Sequence, residues 1–215
     1  MKLLNLFSGT GSVSRPWREV GHEVIDLDVD PTFQPEICDD ILQFSYCNLP
    51  CVPDVIWASP PCTEYSLAKT RGPPRNFKLA DSLVAKALEI IDYFLTQNPK
   101  LIWFLENGDS TLLWRREVAK GLSDYVRLDY CQYGTLYRKR TRIAHSPGLI
   151  WTPRPLCDPT TCRACVDGKH QKSAQRGPNK GKNDDTCTLH ELHALPGALT
   201  QEILKVCELN MWEVI

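Results

Sequence analysis

The chain has 215 residues, room for one full α/β core and little more. Apolar residues make up 42% and charged residues 24%, an ordinary balance for a soluble globular protein. The net charge of −1 gives no global pull toward a polyanion, so any nucleic-acid partner has to be held by local basic patches. No stretch reaches the roughly 18 apolar residues of a membrane span. The opening MKLLNLFSGTGS turns to Gly and Ser too early for an export signal. The ten cysteines therefore read as free thiols, metal ligands or a nucleophile in a reducing, intracellular compartment, cytoplasm or nucleus.

In chain order, the apolar run 2–7 reads as a buried strand that ends in the turn Ser8-Gly9-Thr10-Gly11-Ser12. An amphipathic stretch over 14–20 follows, then a second strand over 23–27 that closes on Asp28-Val29-Asp30. Residues 54–58 (DVIWA) form a third strand, which ends on Ser59-Pro60-Pro61-Cys62. The segment 77–95 carries Leu79, Leu83, Val84, Ala87, Ile90, Ile91 and Phe94, the stripe of a helix packed on a sheet. Residues 101–105 (LIWFL) are another buried strand, ending on Glu106-Asn107, and 125–130 and 142–145 supply the last two strands. From 151 to 189 Pro, Gly, Lys, Asn and Cys dominate and no apolar period is visible. A last helix is expected over 201–209, with Thr200 as its N-cap.

Strands that alternate with helices predict an α/β fold: a mostly parallel sheet with helices on both faces. Ligands of such sheets sit beyond the carboxyl ends of the strands. Here four strand ends carry distinctive chemistry: the glycine turn, Asp28, Cys62 and Glu106. The glycines let backbone approach a ligand closely, and Asp28 can accept hydrogen bonds from ribose hydroxyls. Pro60 and Pro61 present Cys62 rigidly, although an isolated intracellular thiol is more often inert. Glu106 can cap a helix or share a proton with a ring nitrogen. In Tyr137-Arg138-Lys139-Arg140-Thr141-Arg142, alternation puts Arg138, Arg140 and Arg142 on one face, where guanidinium groups suit phosphate or a base carbonyl.

LFSGTGS, SPPCTEYS, FLEN and YRKRTR stand in the order and spacing of the cytosine-C5 DNA methyltransferases, and the chain resembles the compact versions of phages and large viruses. The resemblance covers residues 2–143 and implies a Rossmann-like methyltransferase fold, S-adenosyl-L-methionine as cofactor, and double-stranded DNA whose target base is flipped out. It implies that Phe7, Ser8, Gly9, Thr10, Gly11 and Ser12 line the cofactor pocket together with Pro60 and Ile41. Asp28 would hold the ribose, Val29 would lie beside the adenine, and Asp40 would contact the adenine amine. Cys62 would attack C6 of cytosine, Glu106 would bind N3 and the exocyclic amine, and Arg142 would hold O2 with Arg140 in support. Residues 63–76, with Lys69, Arg71 and Arg75 beside Lys78, look like the loop that closes over DNA. The chain departs from the family at Asn5, where Asp is usual, at Thr63 and Arg138, where Gln is common, and in lacking a recognisable C-terminal Gly-Asn-Ser-Val segment.

Three units are expected: a catalytic domain over 1–150, a Cys- and base-rich recognition insert over 151–190, and a C-terminal helix over 191–215 that packs back. Cys157, Cys162, Cys165 and His170, with Cys187 as an alternative, offer soft ligands where little core can form. They read either as a Zn²⁺ site or as unligated thiols. Lys169, Lys172, Arg176, Lys180 and Lys182 would meet DNA. The chain is expected to act as a monomer with no membrane contact. Two rival functions stay open: methylation of tRNA cytosine, and a catalytically silent DNA-binding role.

Overall fold

The computed structural model describes residues 1–174 and 186–212, the last by its backbone alone. Seven strands form one sheet: β1 (Lys2–Leu6), β2 (Glu23–Asp28), β3 (Ile37–Cys38), β4 (Val55–Ala58), β5 (Ile102–Gly108), β6 (Tyr125–Asp129) and β7 (Arg140–His145). Their order is β3-β2-β1-β4-β5-β7-β6, parallel except for β7, which runs antiparallel to both of its neighbours. The order reverses between β1 and β4, the switch point beyond whose strand ends such sheets bind their ligands. The expected Rossmann-like fold is the one observed.

The central strands are apolar on both faces because both faces are covered. One face packs under α2 (Phe77–Gln97), whose Ala80, Val84, Ala87, Ile90, Ile91 and Phe94 are buried against Leu4, Leu6, Ile56 and Leu105. Asn76 Oδ1 caps this helix by accepting from the Leu79 N–H at 3.1 Å. The other face packs under α1 (Ser14–Glu19) and α4 (Gly197–Trp212), where Trp17, Leu199 and Ile203 meet Leu3, Val55, Trp57 and Phe104. Between them, α3 (Leu189–His193) begins with a capping box made by Thr188 and Glu191. A two-stranded hairpin, β8 (Cys165–Val166) and β9 (Lys169–His170), stands apart from the main sheet.

Two features differ from the sequence reading. The last helix starts at Gly197, so Thr200 lies inside its first turn, buried, with Oγ1 donating back to the Gly197 carbonyl at 3.0 Å. Pro196 sets that earlier start: its carbonyl accepts from the N–H groups of Leu199 and Thr200. At the other end of the sheet, Asn5 is buried, and its Nδ2 donates to Ser14 Oγ at 2.9 Å and to Asp26 Oδ1 at 2.8 Å. Arg18 donates to the second Asp26 oxygen at 3.0 Å. Asp26 already places a carboxylate against position 5, with Glu36 also bound to Arg18, so a donor there suits the network better than a second adjoining carboxylate, which accounts for Asn where the family usually has Asp.

Candidate active site

The turn after β1 is built from unusual backbone. Phe7 has φ +61°, rare and strained for a bulky residue, and Gly9 and Gly11 have φ +48° and +65°. The Gly9 N–H donates to Asp28 Oδ2 at 2.7 Å, which ties the turn to the end of β2. Asp28 Oδ1 accepts from the Asp30 N–H at 2.9 Å, so each carboxylate oxygen keeps acceptor capacity for a further donor. A Cβ placed on Gly11 would meet no neighbour, so this turn borders open space. Val29, 68% exposed, offers an apolar surface beside it. A cradle of backbone, a carboxylate with spare acceptor sites and an exposed valine fit a nucleoside-bearing cofactor such as S-adenosyl-L-methionine.

The remaining residues expected at the cofactor are placed as follows. Asp40 is exposed and its Oδ1 accepts from the Leu42 N–H at 3.0 Å. The Ile41 side chain is buried in the core. Ser8 is buried, and Thr10 Oγ1 is a buried atom with no hydrogen-bond partner among the described residues. Ser12 Oγ accepts from the Leu195 N–H at 3.0 Å, joining the turn to the segment that leads into α4.

Cys62 stands beyond β4, accessible to solvent, in the loop that begins with Ser59 and Pro60. The Asn107 amide braces that loop by donating to the Pro60 carbonyl at 3.0 Å. Confinement by the surrounding protein is the largest influence on the thiol and pushes it up. The Lys139 ammonium pulls it down, and Glu106 pushes it up again. Glu106, at the end of β5, is buried, and its Oε1 has no partner among the described residues. Burial raises its pKa, against the opposing pull of Lys139 and Tyr130. Lys139 is held by the Leu192 carbonyl at 3.0 Å and lies 4.9 Å from the Tyr130 ring centroid. Burial opposes its charge, but Tyr130, Glu106 and Cys62 together raise its pKa above the ordinary lysine value. Tyr130 Oη and Thr141 Oγ1 are buried in the same place. A thiol, a carboxyl, an ammonium and two hydroxyls thus gather at the strand edge.

The basic motif enters β7 at Arg140, and Arg140 and Arg142 share one face of that strand. In the β5–β7 pairing Glu106 is opposite Ile143, and Asn107 is opposite Arg142. Directly paired residues share a face, and neighbours along a strand point to opposite faces. Glu106 therefore shares its face with Ile143, Thr141 and Lys139, whereas Arg140 and Arg142 point to the other side. There Arg140 donates to Asp129 at 3.1 and 2.8 Å. Arg142 donates to Asp109 Oδ1 at 2.9 Å and lies over the rings of Trp114 and Tyr125. On the Glu106 side of the sheet, the basic and hydroxyl groups are those of Lys139 and Thr141. The alternation of arginines was legible, but only the pairing partner decides which face reaches Glu106.

In the loop over 63–76, Lys69 Nζ binds both Glu64 oxygens at 2.7 Å, and Arg75 donates to the Glu64 and Lys69 carbonyls. Arg71 and Lys78 are exposed. Cys157, Cys162 and His170 come together, with Cys165 at the far side of the imidazole ring. Cys131, which nothing in the sequence marked as a ligand, joins them. Cys187 lies elsewhere, buried in the core under α4. Lys172 pairs with Glu191 at 2.7 Å, Lys169 is exposed on β9, and Arg176, Lys180 and Lys182 lie outside the described residues.

A doubly wound sheet with a glycine cradle at its switch point and a Cys–Glu pair two strands on is the architecture of a Rossmann-like methyltransferase. The chain is 29% identical over 238 residues to the "Probable DNA (cytosine-5)-methyltransferase" of frog virus 3 (isolate Goorha), a match over 96% of this chain and 100% of that relative. This bears out the resemblance to the cytosine-C5 DNA methyltransferases of large viruses. No family model matches. Among solved structures, a DNA modification methyltransferase encoded within an E. coli prophage has a TM-score of 0.47 at 15% identity, over 66% of this chain and 45% of its own. The S. pombe Dnmt2 methyltransferase has a TM-score of 0.44 at 13% identity, over 67% and 49%. The chain spans about half the length of these two structures.

Proposed function

We propose that this chain transfers the methyl group of S-adenosyl-L-methionine to C5 of cytosine in double-stranded DNA, through a transient bond from Cys62 Sγ to C6 of a flipped-out base. One observation carries the reading: an accessible thiol stands with a buried carboxyl whose Oε1 lacks a partner, at the strand edge that bears the cradle. The motif order and the frog virus 3 relative support cytosine and DNA as the substrate.

The cofactor, held by the turn 7–12, Asp28 and Val29, would supply an electrophilic methyl group. Cytosine C5 is a poor nucleophile while the ring stays aromatic. Addition of the Cys62 thiolate at C6 breaks the C5–C6 double bond and leaves electron density on C5. Glu106, whose burial favours the protonated carboxyl, would donate to N3 as charge develops there, and its other oxygen would accept from the exocyclic amine. Lys139 stabilises the thiolate and then the carboxylate that Glu106 becomes. Once C5 has been methylated, a water molecule takes the C5 proton, Glu106 recovers the proton it lent to N3, and the Cys62–C6 bond breaks with its electron pair returning to sulfur, which restores the ring. Asn107 positions the thiol through Pro60. Residues 151–190 serve as the recognition segment for duplex DNA, and the chain acts as a monomer. Among the described residues no helix is long and apolar enough to cross a membrane.

The test is methyl transfer from labelled cofactor to duplex DNA and to tRNA, followed by digestion to nucleosides. Label in 5-methylcytosine from the duplex supports the proposal. Label confined to tRNA, or no label in either, overturns it.

A further inference from the structure

The segment 151–174 buries almost no apolar side chains of its own. Its small core consists of Cys131, Cys157, Cys162 and Ala164, with Cys165 packed against it. Cys131 comes from the 3₁₀ turn Tyr130–Tyr133 that ends β6, on the main sheet, and the others come from the segment itself. The ligand atoms of Cys131, Cys157, Cys162 and His170 all lie within 4.8 Å of one another. His170 Nε2 is 3.5 Å from Cys157 Sγ and 3.8 Å from Cys162 Sγ. In a tetrahedral zinc site with bonds of about 2.3 Å to sulfur and 2.0–2.1 Å to nitrogen, neighbouring S and N atoms lie about 3.5 Å apart.

We propose that Cys131, Cys157, Cys162 and His170 Nε2 bind one Zn²⁺ ion that staples residues 151–174 to the end of β6. Three soft thiolates and an imidazole in a closed, partly buried site suit zinc, and the ion supplies cohesion where apolar surface is lacking. Cys165 takes a different part. Its Sγ lies 3.6 Å from His170 Nδ1, the nitrogen facing away from the cluster, where it orients the ring. Gln132 Nε2 donates to Cys162 Sγ at 3.8 Å, and the Cys157 N–H donates to Asp129 Oδ2 at 2.9 Å. Asp129 is wholly buried and also binds Arg140, so the ion anchors the segment beside the strand that carries the basic motif. This proposal does not depend on the methyl-transfer reading.

The experiment is elemental analysis of untagged chain, dialysed exhaustively against metal-free buffer, together with the absorption spectrum after exchange with Co²⁺. One zinc per chain is expected. Cobalt should give the intense visible bands of a tetrahedral site and the near-ultraviolet thiolate charge-transfer bands. Cys131→Ser should lose stoichiometric zinc, whereas Cys165→Ser should keep it. Substoichiometric zinc in the unmodified chain together with an octahedral cobalt spectrum, or a disulfide among these cysteines by mass spectrometry, overturns the site. Zinc retained by Cys131→Ser but lost by Cys165→Ser overturns the assignment of ligands, and the unmodified chain provides the reading if a variant does not fold.

Discussion

Replacing Asn5 by Asp would restore the family's usual residue and, by the reasoning above, destabilise this chain. Asn5 Nδ2 sits 2.8 Å from Asp26 Oδ1 and 2.9 Å from Ser14 Oγ, in a buried network closed by Arg18. The Asn5→Asp carboxylate would face that of Asp26 across about the same gap. Two unit charges about 3 Å apart repel by about 5–6 kcal/mol at an effective dielectric constant of 20. Taking up one proton avoids the repulsion. At pH 7, holding a proton on a carboxyl of ordinary pKa near 3.9 costs about 4 kcal/mol, at roughly 1.36 kcal/mol per unit. The cheaper route sets the loss, about 4 kcal/mol at pH 7. Because the shared proton raises the pair's folded-state affinity for protons, the penalty falls by roughly 1.4 kcal/mol per unit as pH drops and is nearly gone by about pH 4. Urea unfolding of both proteins at pH 7.5 and pH 5 measures this directly. Asn5→Ala, which leaves Asp26 with Arg18 and Ser14, should lose about 1–3 kcal/mol without that pH dependence. A loss in Asn5→Asp that is equal at the two pH values, or below about 1 kcal/mol at pH 7.5, would refute the reasoning.

Asp28→Ala removes the acceptor that ties the Gly9 N–H to β2. It should weaken S-adenosyl-L-methionine binding by about 1.5–3 kcal/mol, measured by titration calorimetry, and unchanged affinity would contradict the cradle. Lys139→Met removes the charge that pulls the Cys62 thiol down, so thiolate should form at higher pH than in the unmodified chain. The rate of Cys62 alkylation against pH, with no substrate present, reads this, and superimposable profiles would exclude the role. Arg142→Ala should leave that alkylation profile in place, because Arg142 lies on the opposite face, bound to Asp109.

The strands and helices that position the site were legible because their patterns are local. The apolar run ending at Glu106, the proline pair before Cys62 and the α2 stripe each follow from a few consecutive residues. What the sequence does not carry is pairing across distance. Whether Arg142 or Lys139 faces Glu106 depends on a one-residue choice of register between β5 and β7, and a slip of one flips every side chain. Cys131 could not be joined to Cys157, Cys162 and His170 for the same reason: it lies 26 residues before the first of them and meets them only through the fold. The start of α4 was misplaced because Thr200 has the chemistry of a cap, yet Pro196 fixes the first turn earlier.

The central claim is that Cys62 forms a covalent bond to C6 of cytosine during methyl transfer. Duplex DNA containing 5-fluorocytosine tests it most directly, because after methylation no proton remains on C5 to leave, and elimination of the thiol is blocked. Incubation of the chain with this DNA and S-adenosyl-L-methionine should give a protein–DNA adduct that survives denaturing electrophoresis. Its cross-linked peptide should contain Cys62, and Cys62→Ala should form none. An adduct mapped to another residue or persisting in Cys62→Ala, or efficient methylation by Cys62→Ala, would contradict the account.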